Sequence, residues 1–549
     1  MDLGNAMVYM PEIASRRQSR RLLCLGLLCA ALSASRLNAQ NVLTYHNDNA
    51  RTGQNLNEHI LSPRDLSSSI FGKLFVIRVD GKVDAEPLYA RRLDMPHRGA
   101  ESVLFVATEH DSVYAFNADT GKLFWRARLL KPGETPSDPR NCTQVIPEIG
   151  VTSTPVIDLA SGPHGTIYSV AMSRDAEGHY FQRLHALDLS TGAEEFGGPV
   201  AIQASFPGNG MGSRNGKMIF DPKQYEERAA LLLSKGVIYT TWASHCDADP
   251  YSGWMMGYDE HNLSQTSVIN FTPNGGEGAV WQSGNGPAAD AEGNIYLLDG
   301  NGTFDTKLNS EGFPEKGDFG NSFLKLAVRG DALSIVDYFA MHNIVRENAT
   351  DLDLGSGGLL LLPNMADSSG RAQHLAVGAG KDRNIYIVNR DAMGKFNPES
   401  DLALYQQVDN VLGDGEFASP AYFDGRLYYG AVNDHLKEFQ FIHARLHPAP
   451  VAETPEIFTY PGTTPSISAE GSRNGIVWVA ENGDRAVLRA FDANDLSDEL
   501  YNSNQQPSGR DYFGIGNKFI TPMIAHGKVY VGTTAGVAVF GLLRSAHIY

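Results

Sequence analysis

Residues 102–125 read SVLFVATEHDSVYAFNADTGKLFW. One apolar run carries Leu104 and Val106, a polar turn follows, and a second run carries Val113, Ala115 and Phe116. Residues two apart on a strand share a face, so each run buries one face, as short half-buried strands do. Thr120-Gly121 supplies the next tight turn, where glycine takes positive φ without steric cost, and Trp125 ends the following strand with a large ring.

The same pattern returns at intervals of roughly 40 to 70 residues. Later copies carry Gly165-Thr-Ile-Tyr168, Gly236-Val-Ile-Tyr239, Gly293-Asn-Ile-Tyr296, Asn384-Ile-Tyr386, Gly425-Arg-Leu-Tyr428, Gly475-Ile-Val-Trp478 and Gly527-Lys-Val-Tyr530. Repeats of this length, each a small antiparallel sheet, predict an all-β propeller. One blade cannot bury both of its faces, so blades must stack radially and close. The copies count to eight, with seven as the alternative because the third is poorly spelled. The last copy stops after three strands, and the stretch GKLFVIRV at 72–79 supplies a fourth, sealing the ring with strands from both ends of the chain. The expected plan is a signal peptide over 1–39, a polar segment over 40–70, one propeller over 71–542 and a tail over 543–549.

The chain of 549 residues has 56 glycines, 27 prolines and a formal charge of −18. A propeller outgrows the usual single-core size by adding blades. The acidic balance, with no run rich in Lys and Arg after residue 40, excludes nucleic acid as a partner. The start of the chain reads as a secretory signal: Arg16, Arg17, Arg20 and Arg21, then an apolar stretch too short to span a bilayer, then Ala39 before the cut. Its removal takes away five arginines and two acids, leaves no transmembrane segment and places the protein in the periplasm or outside the cell. Of four cysteines, Cys24 and Cys29 go with the signal. Cys142 and Cys246 then allow one intramolecular disulfide in an oxidising compartment, tying the loops after blades one and three. The polar stretch 45–55 (YHNDNARTGQN) reads as turn and capping groups, although His46 and Asp48 are ligand types.

These repeats resemble those of the pyrroloquinoline quinone (PQQ) dehydrogenase-like superfamily of eight-bladed propellers. The run from Ala115 to Trp125 is close to that family's tryptophan-docking motif, and 186–196 (ALDLSTGAEEF) is a second copy with Phe196 for tryptophan. The resemblance spans most of 41–542. It implies that Trp281 is the floor on which the quinone stacks, and that Glu177 and Asn301 bind the metal. It further implies Asp351 as a catalytic base, with Asp353, two positions on, sharing that role and completing a larger cation's shell. Lys381 stands where the family places a basic residue beside the quinone oxygens. The chain departs from the family in three ways. It has no vicinal cysteine pair, and no arginine in 148–153 (EIGVTS). Asp84 and Glu86 fit the first-blade carboxylate only approximately.

The residue types suit the implied chemistry. Calcium or a lanthanide takes carboxylate and amide oxygens, and such a cation polarises a quinone carbonyl as a Lewis acid. An aspartate accepts an alcohol proton, and a lysine stabilises charge on a quinone oxygen. The expected activity is oxidation of a small alcohol or sugar with PQQ. No Cys-x-x-Cys-His haem motif exists, so electrons leave to a separate acceptor. The alternative is a cofactor-free propeller that binds a protein or glycan, because fold alone does not decide function. A hydrolase using channel acids has no motif behind it: no nucleophile elbow and no phosphate-cradling loop are present.

Overall fold

The computed structural model describes residues 41–329 and 332–543. The expected signal segment and the tail beyond Leu543 lie outside the described residues. Eight sheets of four or more strands follow one another along the chain, together with two small two-stranded sheets; all strand pairings are antiparallel except that of Gln54–Asn55, which runs parallel to Ser466–Glu470. The count of seven is therefore excluded. The innermost strands of blades 1 to 8 are Leu88–Met95, Val156–Asp158, Leu232–Ser234, Ala288–Ala289, Leu359–Leu361, Ala421–Phe423, Ser466–Glu470 and Met523–Ala525. Blade 3, the poorly spelled copy, continues through Val237–Ser244, Trp254–Asp259 and Gln265–Asn270. In blade 8 the outer strand is Phe71–Arg78, antiparallel to Gly536–Leu542. Among the described residues the one α-helix is Ile344–Ala349, and no helix is long and apolar enough to cross a membrane.

Apolar side chains from successive sheets form the core. Leu297, Phe323 and Tyr338 of blade 4 share one buried cluster with Leu359 and Tyr386 of blade 5. Burying large rings of this kind drives sheet-on-sheet stacking. The docking motif works through a specific contact. The Trp125 indole of blade 1 donates to the Leu189 carbonyl of blade 2 at 2.9 Å. Its ring lies 2.5 Å from where a Cβ on Gly192 would stand, and Gly192 has φ +71°, so the turn requires glycine twice over. Phe75, on the N-terminal strand of blade 8, lies in the same way against Gly121 of blade 1. Phe196 meets His261 of blade 3 edge-on at 6.1 Å.

The segment from Val42 to Asn55 hydrogen-bonds to the innermost strand of every blade. Val42 exchanges two backbone bonds with Tyr89, and the Leu43 carbonyl accepts from Ile157. Asn49 donates through Nδ2 to the Leu233 carbonyl at 2.8 Å, and its own carbonyl accepts from Ala289. The carbonyls of Ala50, Thr52 and Gly53 accept from Leu361, Tyr422 and Ile467. Asn55 donates to the Ile524 carbonyl at 2.9 Å. These strands would otherwise present unpaired edges to the axial channel.

Arg51 is the hub of this collar. Its guanidinium is fully buried and donates to the carbonyls of Tyr45, Leu231 and Pro287, each at 3.0 Å, and to Thr44 Oγ1 at 2.7 Å. His46 is also fully buried, with ring nitrogens 3.1 and 2.9 Å from the carbonyls of Arg51 and Pro465. Burial holds that imidazole down at about 4, so it is neutral at physiological pH. Asp48 caps the turn by accepting from Thr52 N–H and Oγ1 at 3.1 and 2.6 Å. His46 and Asp48 are turn and capping groups.

Two outcomes follow for stability. Arg51→Ala leaves three buried carbonyls and a hydroxyl unsatisfied, and we expect a loss of about 4 kcal/mol or more in urea unfolding; a loss under about 1 kcal/mol would contradict the hub role. Glu86 accepts from His46 N–H at 2.8 Å, and burial raises its carboxyl from 4.5 to about 8. The folded state therefore holds a proton that the unfolded state has lost across that window, so this contribution is complete at low pH and fades as pH rises through about 8. Glu86→Gln should flatten the fall in stability between those pH values by a few kcal/mol; parallel curves for the two proteins would contradict it.

Candidate functional site

A cavity of about 270 Å³ opens at one end of the ring. Its construction follows a rule: the segment leading into each innermost strand contributes to the wall. Asp84, Thr152 and Arg228 come from the approaches to blades 1, 2 and 3. Trp281 and Asp353 come from the approaches to blades 4 and 5. Phe417, Tyr460 and Lys518 come from the approaches to blades 6, 7 and 8. The collar bonds further along the same strands. Tyr45 OH lies 3.1 Å from Ser419 Oγ and 3.0 Å from Thr521 Oγ1, just past Phe417 and Phe519, so the collar lies beneath the cavity.

Five sequence-predicted residues meet here: Trp281, Asn301, Asp351, Asp353 and Lys381 all line the cavity. Asp353 is 2% exposed. Its Oδ2 accepts from the Trp281 indole N–H at 2.8 Å, and its Oδ1 accepts from the Asn301 backbone N–H at 3.2 Å. Lys381 Nζ is 2.7 Å from Asp351 Oδ1 and 3.9 Å from Asp353 Oδ2. Burial raises the Asp353 carboxyl to about 6, with Lys381 and the indole opposing. Asp299, next to Gly300, is fully buried with Oδ2 unpartnered, and burial together with Asp353 holds it well above the carboxylate range. The Asn301 side-chain amide has no hydrogen-bond partner among the described residues.

Glu177 does not join them. It is exposed in the turn of the blade 2 hairpin between Thr166–Arg174 and Tyr180–Asp188 and does not line the cavity. These two strands are nine residues each, and that length carries the turn past the wall. The acid that the sequence reading missed is Glu226, which lines the cavity with Oε1 buried and unpartnered. Burial raises its carboxyl to about 7, while Arg228 opposes the shift. Glu226-Glu227-Arg228 stands directly before the buried run Ala229 to Leu232, so three charged residues enter a core strand. That local contradiction was the available signal. Among the described residues, no three side chains drawn from His, Cys, Asp and Glu cluster closely enough to hold a metal by themselves.

Cations gather on the side of blades 8, 1 and 3. Lys82 is 2.8 Å from Asp84, whose other oxygen accepts from Asn517 at 2.6 Å. Burial would raise Asp84, but Lys82 holds it below the usual range. Glu109 stands beside Asp84, and burial together with the Asp84 charge raises its carboxyl well above the usual range. Glu86, the other candidate in this stretch, turns into the axis toward His46 instead. Burial and Lys82 lower the Lys518 ammonium. Arg228 and Lys518 stand over Phe519 at 5.1 and 5.9 Å, and Lys381 over Phe417 at 5.8 Å. Trp281 meets Phe417 and Phe519 edge-on at 6.0 and 6.4 Å. Aromatic faces and cations interleaved in this way suit a planar anion.

A disulfide joins Cys142 to Cys246, 104 residues apart. Cys142 follows blade 1 as expected, but Cys246 lies within blade 3, between Val237–Ser244 and Trp254–Asp259, and not after it. Gln144, Val145, Cys246 and Asp247 all line the cavity, so the bridge ties together two loops of its wall. Lys518 donates to Gln144 Oε1 from the other side.

No protein-family model matches the chain, and no curated protein does. Solved structures do. A quinohemoprotein alcohol dehydrogenase, ADHIIG, from Pseudomonas putida HK5 aligns with a TM-score of 0.61 at 15% identity, over 95% of this chain and 83% of that one. Another from Comamonas testosteroni gives 0.59 at 13%, over 92% and 81%. A europium-containing methanol dehydrogenase gives 0.59 at 12%, over 92% and 99%. At these identities the likeness is one of architecture. The chain has the eight-bladed propeller fold of the quinoprotein alcohol dehydrogenases.

Proposed function

We propose that this protein is an exported PQQ-dependent dehydrogenase of alcohols or sugars that delivers its electrons to a separate acceptor. The observation that carries the reading is convergence: Trp281, Asn301, Asp351, Asp353 and Lys381, chosen from scattered parts of the sequence, line one cavity together with Glu226 and Arg228. The residues fit the cofactor. A tricarboxylate quinone needs cations and flat apolar walls, and the cavity supplies Lys82, Arg228, Lys381 and Lys518 among five aromatic rings. A hard cation needs oxygens, and the cavity offers the unpartnered Glu226 Oε1 and the free Asn301 amide.

When bound, the quinone supplies the two-electron redox step and the metal supplies Lewis acidity. The chain's own residues supply orientation and proton handling. Trp281 is the stacking surface, fixed by its bond to Asp353. Asp353, held by burial near neutrality, is the base that accepts the alcohol proton, and Lys381 keeps its ionised form accessible. Asp351, more exposed, holds Lys381 in place at 2.7 Å. Glu226 and Asn301 are the metal ligands, and Arg228 takes the carboxylate-clamping role for which the sequence shows no arginine in 148–153. The disulfide and the N-terminal apolar segment support export to the periplasm or beyond.

The exposed position of Glu177 and the lack of a clustered acid triad among the described residues favour a second reading, a cofactor-free propeller that binds a protein or glycan at the cavity mouth. Titrating metal-stripped mature protein with PQQ, with and without calcium or lanthanum, separates the two. The dehydrogenase reading expects a saturable, metal-dependent rise in melting temperature that Glu226→Gln or Asn301→Ala weakens at least about tenfold in apparent affinity. No rise well above micromolar quinone contradicts it.

A further inference from the structure

The cavity wall carries its charges unevenly. The charges that shift Lys518 include Lys82 and Arg228, with Asp84 the counter-charge there. Asp247, on the blade 3 loop that bears Cys246, and Asp351 also line the wall, and Asp249 and Glu277 act alongside them. Tyr251 sits between these acids. It lines the cavity, is 5% exposed, and its hydroxyl has no hydrogen-bond partner among the described residues. The charged groups acting on it are Asp247, Glu277, Asp353 and Asp249, all acids. Those acting on Glu277 are Asp249, Asp247 and Asp351, again all acids. Lys381, which also lines the cavity, is already engaged by Asp351 and Asp353.

The Tyr251 hydroxyl lines the cavity without a protein partner among the described residues, so a ligand there can complete it, and the neighbouring carboxylates, Asp247 and Asp249 exposed among them, attract a cation. Burial and the surrounding acids hold the Tyr251 phenol neutral, so it presents a flat, electron-rich ring and an O–H donor. Phe519, Phe417 and Tyr460 already carry the chain's own cations, Arg228, Lys381 and Lys518. Of the two remaining rings, Trp281 is bonded to Asp353 and Tyr251 is the one set among the other acids.

We infer that the Tyr251 side of the cavity binds the ammonium group of a cationic alcohol, so that the substrate class is an amino or quaternary-ammonium alcohol and not a neutral sugar. The ammonium is held and not transformed. Asp247 lies at the wall, with Asp249 and Glu277 adding field from behind, and the Tyr251 ring gives a cation–π face. The hydroxyl end then lies on the Asp353 side of the same cavity. The reaction assigned to this substrate rests on the dehydrogenase reading; the binding of the ammonium does not.

The test compares choline with 3,3-dimethylbutan-1-ol, which has carbon in place of the charged nitrogen. Mature, cofactor-free protein is titrated with each at low salt, following melting temperature and intrinsic fluorescence. Choline should bind about tenfold more tightly or better, and the gap should shrink as salt is raised. Asp249→Asn and Glu277→Gln, neither of which lines the cavity, should each narrow the gap while leaving the quinone-induced rise in melting temperature in place. Equal binding of the two compounds, or binding of neither, overturns the inference. A quinone response without choline preference removes this inference alone, and choline preference without a quinone response removes the dehydrogenase reading while the cation site stands. Calcium that competes with choline at Asp247 without any choline preference over the neutral alcohol also overturns it.

Discussion

Eight sheets around an axis leave eight strand edges facing a channel, and the structure depends on how those edges are satisfied. The collar from Val42 to Asn55 does this by touching all eight innermost strands in turn. Its hydrogen bonds need a short path around a tight circle, which explains the left-handed backbone at His46, Asn47 and Arg51 with φ of 57°, 73° and 61°. Arg51 adds side-chain bonds to blades 3 and 4 and back to the collar itself. A fully buried guanidinium is tolerated because each of its three nitrogens finds a carbonyl or hydroxyl oxygen.

The collar and the cavity are two consequences of one geometry. Each innermost strand is preceded by a segment that curves in over the axis, and below it the strand edge is taken by the collar. What remains above is a chamber to which every blade contributes. Such a chamber collects chemically unlike residues from distant parts of the sequence without distorting any blade, because approach segments are not part of the packed sheets. The price is desolvation: Asp299, Asp353, Glu226 and Glu109 all have carboxyls raised by burial. A fold maintains such groups where a ligand or a reaction uses them.

The fold was legible because strand periodicity recurs with each blade, and the Trp125 motif names its own contact with Gly192. That Trp281, Asn301 and Lys381 share one cavity wall follows from their place just before or after strands that the repeat locates. Glu177 misled because a sequence offset measures chain length and not height above the wall; two strands of nine residues took it to a solvent-facing turn. Glu226 was hidden by the weak spelling of blade 3, although charged residues abutting a core strand marked it. The collar could not be read at all. Residues 45–55 have the composition of a loop, and their hydrogen bonds are to strands that lie up to 469 residues away.

The central claim is that the chamber receives a planar anion on Trp281 with a cation among Glu226, Asn301 and the aspartates. The most direct measurement is a crystal structure of the mature protein soaked with PQQ and lanthanum, with anomalous data at a lanthanum edge. The account predicts quinone density against the Trp281 ring and one strong anomalous peak bonded to Glu226 and Asn301. A cavity free of quinone density at saturating ligand, with lanthanum scattered only over surface acids, would contradict it.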